Sequence, residues 1–463
     1  MKRRVHFIAI GGSAMHNLAI ALQKKDYIVT GSDDEIFEPA RGNLLKYGIL
    51  PESIGWDANK INTDIDEIIL GMHARADNPE LLKAQELGLK IYSYPEYLYE
   101  QSKDKVRVVI GGSHGKTTIT AMILHVLAAR KIDCDYMVGA KLEGFEVMVK
   151  LTKEAKIMII EGDEYLTSPI DRRPKFHLYM PNIALISGIA WDHINVFPTF
   201  EIYVEQFQKF IELIDKNGSL IYCENDSILK DIAKKTSPEL HKIPYDILPY
   251  SIDDKGTTSI KTTFGDYKLK VFGEHNLSNI NGAKQVCNQL GISDKDFFEA
   301  IISFPGASNR LELVEENNET KIFKDFAHSP SKLKATTKAV KQQFKNHKLV
   351  AAMELHTFSS LNSEFLNQYA GAMDSPDIAL VYYNPHTIEH KMLKAISKED
   401  VKNAFKRDDL LVFTDSVELK TYLLNIDYSD KNLLLMSSGN FDGINLKEFA
   451  ENILKNNINT INQ

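Results

Sequence analysis

The chain has 463 residues, 43% of them hydrophobic and 25% charged, with a formal net charge of −8. That length outgrows a single hydrophobic core and implies two to four domains of ordinary globular composition. The acidic balance excludes a nucleic-acid binder, which needs clustered Lys and Arg against phosphates, but leaves room for a local site that takes an anionic ligand.

In chain order, Val5 to Ile10 reads as a buried strand running into Gly11-Gly12, and a helical pattern follows through Leu18, Ile20 and Leu22. The basic start Lys2-Arg3-Arg4 is not read as a signal peptide, because the apolar run breaks at the glycines and no cleavage-like site follows. A second strand, Tyr27 to Thr30, ends in Gly31-Ser32-Asp33. A βαβ opening with an acid after its second strand is Rossmann logic for a nucleotide. The glycine pattern is degraded to Ala9-x-Gly11-x-x-Ala14, so plain α/β packing stands beside that reading. Further strands are predicted at Glu67 to Leu70, before Gly71-Met72-His73, and at Leu89 to Tyr92. The charged stretch Gln101 to Lys105 marks the first domain boundary.

The stretch Val108-Val109-Ile110-Gly111-Gly112-Ser113-His114-Gly115-Lys116-Thr117-Thr118 is an apolar strand, a glycine-rich turn and a helix start. Glycines let backbone N–H groups converge on an anion, and the helix N-terminus adds its positive dipole end. Lys116 can reach terminal phosphates and the Thr117 hydroxyl can hold Mg²⁺. Ile110 stands where the full phosphate-loop pattern has its first glycine, and a tight turn with a surface lysine is the alternative. Lys156 to Ile160 is then a short strand capped by Glu161-Gly162-Asp163-Glu164, and a carboxylate at a strand end beside a phosphate loop suggests a Mg²⁺ ligand rather than a solvated loop. Ile183 to Ser187 ends near Asp192-His193, again where open α/β sheets bind ligands. Thr199 to Ile214 is an amphipathic helix, and Gly218 to Tyr222 a strand.

His275-Asn276-Leu277-Ser278-Asn279 opens another helix; these residues suit either caps or hydrogen bonds to a purine edge. Past Pro305-Gly306 come Arg310, a hairpin-like pair at Leu311 to Val314 and Lys321 to Phe323, and Asp325-Phe326-Ala327-His328-Ser329-Pro330. Strands at Leu349 to Met353, Ile378 to Val381, Leu410 to Phe413 and Leu433 to Met436 alternate with helical patterns, which implies a mainly parallel sheet. The Asn-rich tail after Leu454 is expected to fray. Cys134, Cys223 and Cys287 are scattered and lack metal spacing, as in reduced cytoplasmic proteins. No run approaches the roughly 18 apolar residues of a membrane helix.

Taken together, Gly112 to Thr118, Glu161 to Glu164, Asp192-His193, His275-Asn276-x-x-Asn279, Arg310 and Asp325-x-Ala327-His328-x-Pro330 resemble, in order, the landmarks of the Mur ligase family. The resemblance covers essentially the whole chain. It implies an α/β, three-domain architecture: a Rossmann-like UDP-sugar domain over 1–103, a P-loop ATPase domain with a mainly parallel sheet over 104–304, and a Rossmann-like domain over 305–463 that closes on ATP and the amine. It further implies ATP and Mg²⁺. Lys116, Glu161 and His193 would be catalytic, with Thr117, Glu161 and His193 at the metal. Gly112, Ser113, His114, Gly115, Lys116, Thr117, Thr118, His275, Asn276, Asn279, Arg310 and Asp325 would bind ATP, and Gly11, Gly12, Ser32, Asp33 and His73 the UDP-sugar.

Within the family, the N-terminal segment, Gly144-Phe145-Glu146-Val147 and Asp171-Arg172-Arg173-x-Lys175-Phe176 resemble the peptide-adding branch. That branch joins UDP-N-acetylmuramate to L-alanyl-γ-D-glutamyl-meso-diaminopimelate through an acyl phosphate. Its amine side would fall on His328, His356, Arg172 and Arg173. Thr357 and Ser360 stand where the alanine-adding branch carries arginines, Ser329 replaces a second histidine, and Phe207 occupies the position of a carbamylated lysine in several siblings, with Lys209 out of register. No carbamylation is therefore expected. The competing readings are the alanine-adding ligase and, from another class, a non-catalytic nucleotide-binding switch. The expected protein acts without nucleic acid or membrane, as a monomer or weak homo-oligomer.

Overall fold

The computed structural model describes residues 2–140 and 144–461, with side chains through Lys455. Four sheets follow one another along the chain. The first is all parallel: β1 (Arg4–Ile8), β2 (Ile28–Ser32), β3 (Glu67–Leu70) and β4 (Lys90–Ser93), in the order β2-β1-β3-β4. The two central strands, β1 and β3, are buried almost throughout, as suits strands covered on both faces, whereas the edge strands β2 and β4 carry exposed positions. The chain moves from β1 to β2 on one side and returns to β3 on the other, so the crevice between β1 and β3 is the switch point where ligands sit in open α/β sheets.

The second sheet contains β5 (Val106–Gly111), β6 (Asp135–Met137), β7 (Val149–Lys150), β8 (Ile157–Glu161), β9 (Ile183–Ile186), β10 (Ser219–Cys223) and β11 (His241–Tyr245). Their order is β11-β10-β9-β5-β8-β6-β7, with only β7 antiparallel. β5 lies between β9 and β8, so three loops leave neighbouring strands at the same edge.

A small antiparallel sheet of β12 (Tyr250–Ile252), β13 (Thr258–Thr262) and β14 (Gly265–Lys268) has no counterpart among the sequence expectations. Its apolar row, Tyr250, Ile260 and Tyr267, is made across the three strands, and each strand of three to five residues contributes too few apolar positions for periodicity to reveal it. The last sheet has β15 (Glu312–Glu316), β16 (Lys321–Asp325), β17 (Lys348–Glu354), β18 (Ile378–Tyr382), β19 (Leu411–Phe413) and β20 (Lys431–Met436), ordered β15-β16-β20-β17-β18-β19. Only β15 is antiparallel. Along β17, Leu349, Ala351 and Met353 feed one core and Val350 and Ala352 the other, the period of two that covers both faces with helices.

The described chain forms two compact units: 1–189 with 204–246 and 282–297, and 190–203 with 247–281 and 298–463. The first unit holds the first two sheets and the second unit the other two. The closing helix runs Leu446–Ile461, so the tail expected to fray is helical to Ile461; Phe449, Ala450, Ile453 and Leu454 anchor its first turns on the last sheet. All three cysteines are free and buried. No helix among the described residues is long and apolar enough to cross a membrane.

Candidate active site

The first unit places the phosphate loop after β5. Gly112 (φ 123°) and Gly115 (φ 79°) adopt backbone conformations that side chains disfavour, and a Cβ on Gly112 would collide with Ser187 beyond β9. The helix Lys116–Ala129 starts on Gly115, with no side-chain cap taking its first N–H groups. These donors and the helix dipole suit a polyanion. The β9 loop braces the turn: the Ser113 N–H donates to the Gly188 carbonyl (3.0 Å), the Ser187 hydroxyl to the His114 carbonyl, and the Ile189 N–H to Asp226 (2.6 Å).

Both outer acids of Glu161-Gly162-Asp163-Glu164 turn towards this loop. The Thr117 hydroxyl donates to Glu161 Oε1 (2.8 Å), and the Gly139 N–H to Glu161 Oε2 (2.8 Å). Lys116 Nζ donates to Glu164 Oε2 (2.6 Å) and to the Gly112 carbonyl (2.7 Å). Burial lowers the Lys116 ammonium pKa, but Glu164, Asp163 and Glu161 outweigh it and leave the group above the usual lysine range. Asp163 instead pairs with Lys175 (2.6 Å). Thr117 and Glu161 offer a hydroxyl and a carboxylate, hard oxygen donors that fit Mg²⁺, which keeps waters and needs few protein ligands beside phosphates. Among the described residues no group of three or more His, Cys, Asp or Glu forms a metal cluster. Sequence reasoning quoted Glu164 without a role and missed Gly139 and the β9 brace, whose partners are remote along the chain.

The residues proposed for the UDP-sugar gather at the strand ends of the first sheet: Gly11 and Gly12 after β1, Ser32 and Asp33 at the end of β2, His73 after β3. The Gly11 N–H donates to Asp33 Oδ2 (2.6 Å), and a Cβ on Gly11 would lie 2.9 Å from that oxygen. Burial raises the Asp33 carboxyl to about 6. Ser32 accepts from Lys60 (3.1 Å), and His73 is exposed. Ala9 takes a left-handed conformation (φ 69°), where the family pattern often has glycine. A buried pair that the sequence did not reveal, His6 with Glu80 (3.2 Å), lies behind these loops.

Arg172 is exposed, while Arg173 pairs with Asp171 (2.7 Å) and reaches Glu96 (3.9 Å), so one of the two arginines assigned to the peptide has local partners. Phe207 is buried against Phe176 and Lys209 is exposed, so the carbamylation position carries a core side chain.

The second unit holds the other candidates. His193 adopts a left-handed backbone (φ 55°), and its N–H donates to Asp192 Oδ1 (2.8 Å). Histidine is among the residue types that tolerate this conformation, which other turns of the described chain also adopt. Asn276 donates to the Phe272 carbonyl (2.9 Å); it and Asn279 are buried on the helix Glu274–Gln289, which His275 also opens. Asp325 accepts from the N–H groups of Leu311 (2.6 Å) and Ala327 (2.7 Å), and burial raises its carboxyl pKa. It thus braces the turn that carries Arg310, whose guanidinium lies 4.7 Å over the Phe326 ring. His328 donates to the Phe326 carbonyl (2.9 Å), and burial, with Lys332 nearby, lowers it to about 3. His356 lies 3.6 Å from the buried Glu354 at the end of β17, and Glu354 also accepts from Ser437 and from the Phe441 N–H (2.8 Å). Thr357 caps the turn Phe358–Leu361 by accepting from the Ser360 N–H (3.0 Å), and Ser360 is fully buried.

A strand–glycine loop–helix with a lysine, and hard oxygen donors on the next strand, defines a P-loop nucleotide site on a mainly parallel α/β scaffold. Comparison with known proteins narrows this. The Mur ligase family catalytic domain matches residues 4–105, and the Mur ligase middle domain residues 110–287. The UDP-N-acetylmuramate–L-alanine ligase of Sulfurihydrogenibium sp. is 31% identical over 385 residues, 82% of this chain and 82% of that protein. The UDP-N-acetylmuramate–L-alanyl-gamma-D-glutamyl-meso-2,6-diaminoheptandioate ligase of Haemophilus influenzae is 25% identical over 96% of this chain and 98% of that protein. Among solved structures, the UDP-N-acetylmuramate–alanine ligase of Thermotoga maritima shares the fold with a TM-score of 0.69, at 19% identity over 99% of both chains. The chain belongs to the Mur ligase family, whose members are ATP-dependent amide ligases.

Proposed function

We propose that the chain joins UDP-N-acetylmuramate to L-alanyl-γ-D-glutamyl-meso-diaminopimelate, an ATP-dependent step of peptidoglycan recycling in the cytoplasm. The proposed working domains are 1–103, 104–304 and 305–463. A carboxylate is a poor electrophile at neutral pH; attack on the γ-phosphorus of ATP converts it to an acyl phosphate, which the peptide amine then opens with loss of phosphate. The protein's share is positioning and charge neutralisation. Lys116 would hold the β/γ oxygens, and Thr117 and Glu161 would hold Mg²⁺, which would supply positive charge for phosphoryl transfer; His193 is assigned to the metal by the family resemblance alone. The base and ribose fall to His275, Asn276, Asn279 and Asp325, and the phosphates also to Arg310. Gly11, Gly12, Ser32, Asp33 and His73 take the UDP-sugar. His328, His356, Arg172 and Arg173 are assigned to the amine.

The observation that carries the choice of amine is the state of Thr357 and Ser360. One is a turn cap and the other is buried, so no cationic clamp for free alanine stands there. The second reading, the alanine ligase, is favoured by the 31% identical relative of that activity. Parallel assays with ATP, UDP-N-acetylmuramate and either tripeptide or L-alanine separate them. The tripeptide should win in kcat/KM by at least about tenfold, the measure of discrimination. Equal or better efficiency with L-alanine overturns the peptide reading and leaves the ligase standing. Steady ADP release without acceptor and amine would instead favour the nucleotide switch.

A further inference from the structure

Glu164 has no role in the nucleotide site as described so far, yet it makes that site's most intimate charge contact. Its side chain is 1% exposed and its Oε2 lies 2.6 Å from Lys116 Nζ, which is itself 15% exposed. The Gly112 carbonyl takes a second proton of the same ammonium. The lysine that must meet phosphate oxygens is therefore already neutralised, bent back onto its own loop. Glu161 differs: its two oxygens are occupied by a hydroxyl and a backbone N–H, and it faces no cation at hydrogen-bond distance among the described contacts.

We propose that Glu164 is a positioning residue that competes with the nucleotide for Lys116. The proposal rests on the nucleotide-site reading above. Glu164 and the Gly112 carbonyl take two of the three ammonium protons and hold it back on its own loop. Phosphates must draw Lys116 away from Glu164 to engage it fully, so part of the phosphate–lysine attraction is offset by loosening a buried ion pair. The carboxylate left behind also repels the incoming anion. When phosphate or ADP leaves, Glu164 recaptures the ammonium and the product is not replaced by an unpaired buried charge, which would be costly. The contact thus weakens nucleotide binding and speeds product departure. A residue that only held the loop in shape would act the other way, since its loss would loosen the cradle and weaken binding.

The test is ADP binding by calorimetry to the full chain, with Mg²⁺ and separately with EDTA, for the native protein and Glu164→Gln. Glutamine keeps the size and an acceptor for Lys116 but removes the charge. The affinity for ADP should rise about tenfold in both conditions, equivalent to about 1.4 kcal/mol. In turnover, KM for ATP and kcat should both fall, as product is held longer. Glu164→Asp, which keeps the charge but is one methylene shorter, should give a smaller gain of the same sign and serves where the glutamine variant does not fold. Unchanged or weaker ADP binding in the folded variants overturns the proposal. Weakening confined to Mg²⁺ overturns it too, by making Glu164 part of the metal–nucleotide site. Absence of ADP binding by the native protein would instead sink the nucleotide-site reading.

Discussion

The first unit contains two glycine loops built from the same local grammar, a parallel strand, a turn and a helix, and they are different devices. After β5 the glycines take conformations reserved to them, the turn is braced through Ser113 and Ser187, and a helix N-terminus without a side-chain cap carries Lys116 and Thr117. After β1 the Gly11 N–H is already spent on Asp33, and no lysine follows in Gly12-Ser13-Ala14-Met15. The first arrangement suits a polyphosphate, whose charge is met by a cation and the positive end of a helix. The second suits a neutral or hydroxyl-rich part of a ligand, because it presents an acceptor. What separates the two is which side chain the neighbouring strand sends back: a capped pair of acids behind the lysine in one case, a carboxylate across the glycine in the other.

The largest break in this comparison is Lys116→Ala. It removes the cation from the phosphate loop and takes from the buried Glu164 its ion-pair partner, so stability should fall, and in variant protein that circular dichroism shows to be folded ligation should fall by about 10³-fold or more. Near-normal product formation by the folded variant would put the phosphates elsewhere. A smaller effect sharpens the same loop. An added Cβ at Gly139 would lie 2.8 Å from Glu161 Oε1, so Gly139→Ala should push the carboxylate off Thr117. We expect turnover to drop about thirtyfold with a raised Mg²⁺ requirement, as for loss of a group that orients a metal ligand. An unchanged Mg²⁺ titration would mean that Glu161 does not serve the metal.

The smallest effect probes the other loop. Burial raises the Asp33 carboxyl to about 6. Above that pH it is ionised and accepts; as pH falls through about 6 it takes a proton and loses an acceptor position. KM for UDP-N-acetylmuramate should therefore rise about threefold to tenfold between about pH 7.5 and pH 5.5, while KM for ATP changes less. Asp33→Asn should start at the higher KM and lose this dependence. A variant that keeps the native pH profile shows that another group controls it.

Much of the fold was legible because parallel strands buried on both faces are written as short apolar runs. Glu67 to Leu70 was read with its observed limits, and the helix from Lys116 starts where glycine and lysine placed it. The candidate site was legible as residue types at strand ends. What could not be read were partners: Glu164 for Lys116, 48 positions away, Gly139 for Glu161, and the Ser187-Gly188 brace. The small sheet β12 to β14 was also invisible, since its apolar row of Tyr250, Ile260 and Tyr267 is assembled across strands and no single strand carries it.

By itself, then, the order of residues determined the sheet-forming segments, the two glycine loops and the chemical kinds of group beside them, because backbone preference and hydrophobic period act over a few neighbours. Tertiary structure alone decided that Lys116 is neutralised, that Asp33 closes on Gly11, that Asp325 braces a turn and that Phe207 lies in a core. Each of these depends on which strands become neighbours and on how much water is excluded between them. Charge, hydrogen bonding and ionisation follow from that enclosure, which no local stretch of sequence contains.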